Sequence, residues 1–281
     1  MSKLYIVSTP IGNLADMTRR AIDTLSAVQR VLAEDTRRTA ILFRHYGIST
    51  PLYSAHEHNE AARVAQVLAW LAEGEELAIV SDAGTPLLSD PGARIVQAVL
   101  DAGHDVVPIP GASALLAALV ASGISPEPFT FFGFLPRSGR ERKERLSDVA
   151  GLGHTAVLYE APGRLEKLLA DLRQLCGDER RVSVGREITK LHETFVRGTL
   201  REASAYYEGE QVRGEVVVVL AGAAVTTAGN VEETALGLAR QLLQNGASPR
   251  DAARQIAREL KVPRNRAYEI TLTASTKGSA H

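Results

Sequence analysis

The sequence predicts an α/β protein with two α/β domains and a small, all-helical C-terminal domain. Short apolar runs alternate with helical patterns up to about residue 220, which is typical of parallel strands covered on both faces by helices. A glycine and two prolines interrupt this alternation at 123–128, and such residues mark boundaries. Apolar residues then recur at helical spacing after residue 230. We therefore expect domains at 1–123, 124–224 and 225–281.

The first domain should contain a strand wherever several apolar residues run together and a helix wherever they recur every three or four positions. Gly47 is expected to end the second helix, because glycine commonly follows the last helical residue. The predicted strands are 4–8, 30–35, 76–81 and 104–110. The predicted helices are 17–28, 37–47, 58–73, 111–123 and one around 95–100.

The second domain repeats this alternation of strands and helices. Residues 188–200, "ITKLHETFVRGTL", fit either a pair of strands or a strand that leads into a helix. The predicted strands are 129–134, 154–160, 180–187 and 214–223. The predicted helices are 162–175 and one that starts within 137–146.

The C-terminal domain should be helical and should follow a linker at 221–230, where small residues prevail. Helical stripes run through 235–242 and 253–260. The motif "SPRD" at 248–251 is a helix start, with the serine as cap and the proline at the first helical position. Residues 231–281 hold eight Lys/Arg against five Asp/Glu. Helix, turn and helix with this charge is typical of nucleic-acid-binding modules and also of small packing domains; we expect it to add substrate affinity without carrying chemistry.

Composition excludes several classes of protein. The net charge of −1 gives no bulk attraction to nucleic acid or anionic membranes, so a polyanionic partner would need a local patch. A single cysteine, Cys176, excludes an internal disulfide framework and a thiolate-cluster metal site. No apolar run reaches the ~18 residues of a membrane span, and no secretory signal is expected. "HEH" at 56–58 has no obvious third ligand, so no metal is expected. We expect a soluble protein of the reducing cytoplasm.

Three turns rich in glycine and proline follow predicted strands: "STPIGN" at 8–13, "SDAGTPLLSDPG" at 81–92 and "PGASA" at 110–114. Ligands of open α/β sheets bind beyond the carboxyl ends of the strands, and glycine lets a ligand approach the backbone closely. No Walker motif and no G-x-G-x-x-G turn is present. The longest turn carries Asp82 and Asp90 and no Lys or Arg, so it suits an ammonium, a sulfonium or ribose hydroxyls better than phosphates.

Asp90 also has a simpler interpretation. It directly precedes Pro91, and an Asp-Pro pair suits a helix cap followed by the first helical residue. One cap does not account for the two glycines, two prolines and two serines of the whole turn.

A set of motifs resembles the family of the ribosomal RNA small-subunit methyltransferase I, in the tetrapyrrole-methylase-like class. They occur in order over about 3–222: "LYIVSTPIGNLADM", "AEDTRRT", "SDAGTPLLSDPG", "PIPGASALLAAL", "FFGFLP", "LYEAPGRL" and "GREITKLHETFVRGTL". The resemblance implies two α/β domains with S-adenosylmethionine in the cleft between them. It also implies 2′-O-methylation of a cytidine ribose in the decoding region of 16S rRNA, a 30S subunit as partner, and a homodimer.

The resemblance also implies which residues contact the cofactor. The turn "STPIGN" stands where tetrapyrrole enzymes have G-x-G-P-G. This difference argues against a tetrapyrrole substrate and fits the RNA-methylating branch of the class. The backbone near Val196 and Arg197, and that of Ala221, would contact adenine. The full set expected to bind the cofactor is Pro10, Ser81, Asp82, Gly84, Thr85, Ser113, Ala114, Tyr159, Val196 and Ala221.

A ribose hydroxyl is a poor nucleophile, so a base within hydrogen-bond reach would help the transfer. Asp35, Glu160 and His192 are our candidate catalytic residues, although each of them taken singly is better explained as a solvated or paired surface group. Further acids and bases lie in the motifs that contain Asp35 and His192. They are Glu34, Lys190 and Glu193.

Four arginines are our candidates for RNA binding. Arg37 and Arg38 follow a predicted helix cap, where cations oppose the helix dipole, so phosphate binding would explain them. Arg264 and Arg266 belong to the basic C-terminal segment. Two alternatives remain open: the same cofactor with a small tetrapyrrole-like substrate, and a non-catalytic RNA-binding protein that keeps the fold.

Overall fold

The structure, a computed structural model, describes residues 2–56, 59–223, 228–260 and 262–276, without the side chains of 228–233 and 275–276. The chain divides into two compact units, Met1–Ala223 and Ala224–His281. The first unit holds two five-stranded sheets, and its further division into domains 1–123 and 124–224 stays a prediction.

The first sheet is entirely parallel, as the alternation of strands and helices predicts. Its spatial order is β3-β2-β4-β1-β5. The carboxyl ends of all its strands therefore lie along one edge. Its strands are β1 (Lys3–Val7), β2 (Arg30–Ala33), β3 (Leu52–Ser54), β4 (Leu77–Val80) and β5 (Asp105–Ile109).

Five helices accompany this sheet, and local signals set their ends. Asp35 caps the second helix by accepting a hydrogen bond from the Arg37 N–H, and Gly47 ends it in the left-handed conformation (φ 69°), as predicted. The helices are α1 (Arg19–Ala27), α2 (Thr36–Tyr46), α3 (Glu60–Ala72), α4 (Ala93–Asp101) and α5 (Ala114–Ala121).

The second sheet is mixed, although its alternating pattern suggested another parallel sheet. Its order is β6-β7-β10-β8-β9; the neighbouring pair β6 and β7 is parallel, and the other three neighbouring pairs are antiparallel. The strands β8 and β9 form a hairpin, which needs no crossover helix. Its strands are β6 (Phe129–Phe134), β7 (Thr155–Glu160), β8 (Arg181–Arg186), β9 (Thr194–Thr199) and β10 (Val216–Leu220).

The sequence of 188–200 fitted either a pair of strands or a strand that leads into a helix. The structure shows the second arrangement, because β9 leads directly into a helix. Thr199 starts that helix with a reciprocal capping box to Glu202. The helices of this half are α6 (Gly139–Gly151), α7 (Leu165–Cys176) and α8 (Leu200–Tyr207).

Apolar clusters show how the two sheets pack within the first unit. Each face of the first sheet has its own cluster, and the outer face of the second sheet packs against α6, α7 and α8. A fourth cluster places Leu115 and Leu119 of α5 against Val157, Val217 and Val219 of the second sheet. Helix α5 therefore links the carboxyl edge of the first sheet to the inner face of the second.

The C-terminal unit is helical in its described residues. Its helices are α9 (Ala228–Gln244), α10 (Pro249–Glu259) and α11 (Arg264–Thr276). Ser248 caps α10 with Pro249 at its first position, as predicted. The linker expected at 221–230 is too long at its end, because α9 begins at Ala228; residues 224–227 lie outside the described residues. Within the described ranges, every helix is too short or too polar to cross a membrane.

Candidate active site between the two sheets

The three glycine-containing turns meet at the carboxyl edge of the first sheet. Thr9 and Gly84 exchange two backbone hydrogen bonds, with N···O distances of 2.9 and 3.0 Å. The hydroxyls of Ser8 and Thr85 lie 3.0 Å apart, and Thr85 also donates to the Ala112 carbonyl at 3.3 Å. The turns after β1, β4 and β5 thus form one connected floor, which confirms their expected proximity.

Gly84 is required by this floor. Its φ is +83°, and a Cβ atom would lie 3.3 Å from the Ile11 side chain. A side chain at this position would meet both backbone strain and a close neighbour.

A cavity of about 360 Å³ opens above the floor and is closed on its other side by the second sheet. Its walls come from both halves of the first unit. The residues that line it are Ile11, Glu34, Arg38, Asp82, Ala83, Gly84, Thr85, Leu88, Ser89, Asp90, Ser113, Ala114, Phe134, Tyr159, Glu160, Ala161, Pro162, Glu215, Val216 and Val217.

The carboxylates at the ends of β2 and β4 support one another through backbone hydrogen bonds. The Asp35 N–H donates to Asp82 Oδ1 at 3.1 Å, and the Asp82 N–H donates to Glu34 Oε2 at 3.4 Å. Arg38 pairs with Asp82 at 3.2 Å. Burial raises the pKa of Glu34, and the hydrogen bond from the Asp82 N–H partly offsets this shift. This corner is an ordered set of acceptors beside the cavity.

Glu160 is the most buried acid of the cavity. One of its carboxylate oxygens, Oε1, accepts from the Ala161 N–H at 2.8 Å and from Arg164. Its other oxygen, Oε2, is buried and has no hydrogen-bond partner. A buried acceptor of this kind normally has a donor, so a ligand donor in the cavity would satisfy it.

Tyr159 joins the second sheet to α5. The Leu115 N–H donates to the Tyr159 hydroxyl at 3.2 Å. Burial raises the pKa of Tyr159, and Asp90 and Glu215 raise it further. The rings of Phe131 and Phe134 lie 4.9 and 5.5 Å from its ring centre, so one wall of the cavity is aromatic.

These residues fit S-adenosylmethionine, the cofactor that the resemblance implies. Asp82, Asp90 and Glu160 suit its positive groups and its donors, and the unpartnered oxygen of Glu160 calls for such a donor. The floor of turns offers backbone groups at close range, and the aromatic wall offers a flat apolar surface.

The ten residues expected to bind the cofactor divide into three groups. Those that line the cavity are Asp82, Gly84, Thr85, Ser113, Ala114 and Tyr159. Pro10 and Ser81 are buried in the floor turns without lining it.

Val196 and Ala221 lie elsewhere. Val196 pairs with Val184 and packs on the outer face of the second sheet, away from Val217. Ala221 follows the far end of β10, where its carbonyl accepts from Arg180 Nε at 2.6 Å. Their assignment to adenine binding stays a prediction without support from the cavity lining.

Of the three catalytic candidates, only Glu160 lines the cavity. Asp35 caps α2 and pairs with Arg37 at 2.8 Å, and hydrogen bonds from Arg37 lower its pKa to about 2. His192 is exposed in the loop between β8 and β9, where its carbonyl accepts from Arg186. Neither Asp35 nor His192 lines the cavity, so both are poorly placed to abstract a proton there. The low pKa of Asp35 also makes it a weak base.

The arginine candidates also differ in their positions. Arg38 lines the cavity, whereas Arg37 is exposed and held by Asp35. Asp35 pairs with Arg37 and Asp82 pairs with Arg38, and these two ion pairs explain why cations occur in the first turn of α2. In the C-terminal unit, Arg264 lines a concave surface beside α10, and Arg266 pairs with Glu269 at 2.7 Å.

The interpretation of Asp90 as a helix cap is wrong. Helix α4 begins two residues later than a cap at Asp90 requires, and its N-cap is Gly92, which makes no side-chain capping bond. The Asp90 carboxyl lines the cavity instead.

Phe134 and Glu215 are among the lining residues that sequence reasoning missed. Glu215 immediately precedes β10, and an alternating α/β pattern places the start of a parallel strand away from the ligand edge. Because β10 is antiparallel to β7, its start lies beside the end of β7. No motif in the sequence reveals that reversal.

In the described part of the chain, no group of three or more His, Cys, Asp or Glu residues is placed so that it could hold a metal ion. His56 is described there, whereas His58 of the "HEH" motif lies outside the described residues.

Comparison with known proteins places the chain in a family. The family model "Tetrapyrrole (Corrin/Porphyrin) Methylases" matches residues 3–204. The chain is similar in fold to the uroporphyrin-III-C-methyltransferase from Thermus thermophilus (TM-score 0.55, 19% identity, 82% of this chain and 99% of that one). It is also similar to the methyltransferase CobJ (TM-score 0.61, 19% identity, 80% and 95%).

Two curated relatives match almost the whole chain. Both are called ribosomal RNA small subunit methyltransferase I. The protein from Synechocystis sp. is 45% identical over 279 residues, covering 99% of this chain and 100% of the relative. That from Bacillus subtilis is 43% identical over 274 residues, covering 96% and 94%. The chain therefore belongs to the tetrapyrrole methylase family and, within it, to the ribosomal RNA small subunit methyltransferase I family.

Proposed function

We propose that this protein transfers a methyl group from S-adenosylmethionine to the 2′-hydroxyl of a cytidine ribose in the decoding region of 16S rRNA, acting on the 30S subunit in the cytoplasm. The observation that carries the proposal is the cavity of the first unit, with its buried unpartnered acceptor and its floor of three turns. Membership of the ribosomal RNA small subunit methyltransferase I family supports the choice of RNA as substrate.

The bound cofactor would supply an electrophilic methyl group on a positively charged sulfur. The residues of the chain would position it: the floor turns would give backbone contacts, and Glu160 Oε2, which has no partner, would accept a hydrogen bond from a donor of the cofactor. Asp82 is held in place by the Asp35 N–H and by Arg38, so its carboxylate is already oriented before the cofactor binds. Catalysis then comes chiefly from positioning and from the exclusion of water.

An RNA substrate is supported by side chains at the cavity. Phe134 lines the cavity and is 54% exposed, which suits stacking of an unpaired base. Arg38 also lines it, and its side chain is 68% exposed although it pairs with Asp82. These two residues can hold a base and a phosphate next to the methyl donor.

The test is methyl transfer from labelled S-adenosylmethionine to 30S subunits isolated from cells that lack this activity. We expect label in 16S rRNA, in a dinucleotide that resists alkaline hydrolysis because its ribose 2′-oxygen is methylated. Matched 50S subunits serve as the control substrate and should stay unlabelled.

Other outcomes identify the alternatives. Cofactor binding without label in 16S rRNA would favour a small tetrapyrrole-like substrate and contradict the proposal. Absence of cofactor binding would favour a non-catalytic RNA-binding protein. Label on a base, released from the sugar by acid, would contradict the 2′-O-ribose assignment.

A homodimer is also part of this proposal. Helix α5 is apolar around its circumference, yet Leu116 is 52% and Val120 75% exposed. A helix of that kind is normally covered on all sides, and a second copy would cover it. Light scattering should give twice the chain mass, and Val120→Asp should give the monomer mass; a monomeric wild-type protein would contradict the dimer.

A further inference from the structure

Five carboxylates line the cavity, and they differ in how they are held: Glu34, Asp82, Asp90, Glu160 and Glu215. Asp82 is engaged by Arg38 and a backbone N–H, and Glu34 by the Asp82 N–H. Glu160 is engaged by Arg164 through Oε1, and Glu215 by Lys190 at 3.4 Å.

Asp90 is the exception. Within the residues that the structure describes, it is the lining carboxylate with neither a cationic partner nor a backbone donor among its contacts, and the nearby Ser81 hydroxyl is the neutral group that favours its charged form. It also caps no helix. A carboxylate that faces the cavity without a cationic side chain paired to it is available to take up a proton.

The loop around Asp90 is fixed by its neighbours. Leu87 and Ser89 have positive φ values of 73° and 69°. A Cβ on Gly133 of β6 would lie 2.9 Å from the Ser89 Oγ, so the loop packs closely on the second sheet. The carboxyl of Asp90 is therefore presented by a defined loop rather than by a free side chain.

The groups that face Asp90 are mostly anionic or neutral. Glu34 and Asp82 approach from the first sheet, and Glu215 and the Tyr159 hydroxyl from the second. The cations of the same region, Arg38 and Lys190, are paired with Asp82 and with Glu187 and Glu215. Burial is the largest effect on the pKa of Asp90; the Ser81 hydroxyl partly offsets it, and repulsion from the three acids adds to it, so that the pKa is raised to about 6. This is close to the value that suits a general base at neutral pH.

We propose that Asp90 is the general base that accepts the proton of the attacking ribose hydroxyl. The hydroxyl oxygen forms its new bond to the transferred methyl carbon while the carbon–sulfur bond breaks, its electron pair staying on sulfur. The hydroxyl proton moves to an Asp90 oxygen and then to water. This assignment rests on the proposed methyl transfer to an RNA hydroxyl, and it replaces Asp35 and His192 as candidates.

The kinetic test uses the full-length Asp90→Asn, Asp90→Glu and Asp148→Asn variants in single turnover on 30S subunits. Asp148 is exposed on α6, outside the cavity lining, so Asp148→Asn is the matched control. Asp90→Asn should lose about 10²- to 10⁴-fold in rate, the range of general-base contributions, and Asp90→Glu should recover part of it. The wild-type rate should fall as pH drops through about 6, and Asp90→Asn should lack that pH limb.

A second measurement needs neither cofactor nor RNA. The folded state holds the Asp90 proton more tightly than the unfolded chain, so ionised Asp90 destabilises the fold as pH rises through about 6. Asp90→Asn removes that charge and should raise Tm relative to wild type at about pH 8, with a smaller gain at about pH 5. Asp148→Asn should show no such pH dependence.

The outcomes separate this assignment from the proposed function. If Asp90→Asn retains the wild-type rate and pH limb on 30S subunits that the wild type methylates, Asp90 is not the base. If it loses cofactor affinity as much as rate, Asp90 is a binding residue and the proposal is also overturned. Wild-type protein that methylates no 30S subunits would overturn the proposed function and, with it, this assignment, whatever the Tm series shows.

Discussion

Gly84 shows at the scale of one residue why the cavity depends on backbone shape. It joins two of the floor turns by exchanging hydrogen bonds with Thr9, and it does so at φ +83°. An alanine there must adopt the left-handed region, which costs about 1–2 kcal/mol, and its methyl group would crowd Ile11.

We therefore expect Gly84→Ala to lower the free energy of unfolding by about 1–2 kcal/mol and to weaken cofactor binding. Gly151→Ala is the control, because Gly151 ends α6 with open space around its Cβ position and without a positive φ. Urea unfolding and calorimetric titration measure both effects. Equal stability and equal affinity in the two variants would show that Gly84 is not a constraint on the site.

The residue scale is also where sequence reasoning was weakest. It identified the acidic turn, but it could not say which acids are tied to a partner. Asp35 and Asp90 look alike in the sequence, each next to a predicted helix start. Only the folded chain shows that Asp35 caps α2 and binds Arg37, while Asp90 faces the cavity. Partners distant along the chain decide the difference, as with Asp82 and the Asp35 N–H.

At the scale of elements, α10 has one apolar and one basic face. Ala252, Ala253 and Ile256 are buried, whereas exposed arginines recur every four residues at 250, 254 and 258. Arg254 and Arg258 line a concave surface together with Arg264 of α11. This arrangement suits the phosphates of a nucleic acid.

We expect the triple variant Arg254→Ala, Arg258→Ala and Arg264→Ala to bind 30S subunits more weakly. The slope of log affinity against log salt should fall by about two, since each lost phosphate contact removes ~0.7–0.9. Cofactor affinity should not change. The matched control removes three basic residues of α6, Arg140, Lys143 and Arg145. Equal losses in both variants would indicate an effect of net charge rather than of this surface.

Elements with strong local signals were predicted well. The Ser248 cap and the Gly47 stop mark their helices correctly, because both signals act within a few residues. The strand β3 was missed, since three residues give no periodicity. The antiparallel direction of β10 was missed because β10 is buried along its whole length, and a continuous apolar run does not reveal strand direction.

On the scale of the whole molecule, the alternating pattern predicted two sheets and a helical end, and the motifs indicated the family. The way in which the two sheets enclose the cavity could not be predicted from the sequence. It depends on α5, whose apolar residues contact Val157 and Val217 more than thirty positions away, and on Tyr159, which accepts the Leu115 N–H. Such packing follows from tertiary structure rather than from local pattern.

The central claim is that S-adenosylmethionine occupies the cavity between the two sheets. Ala114, the first residue of α5, lines that cavity, so a tryptophan there would take up cavity space. Ala102 is exposed beyond the end of α4 and serves as the control.

Calorimetric titration of the full chain with S-adenosylmethionine tests this claim most directly. We expect saturable heat for wild type and for Ala102→Trp, and a loss of at least ~100-fold in affinity for Ala114→Trp, equivalent to about 2.7 kcal/mol. A wild-type protein without heat of binding, or a folded Ala114→Trp protein that binds as tightly as wild type, would contradict it.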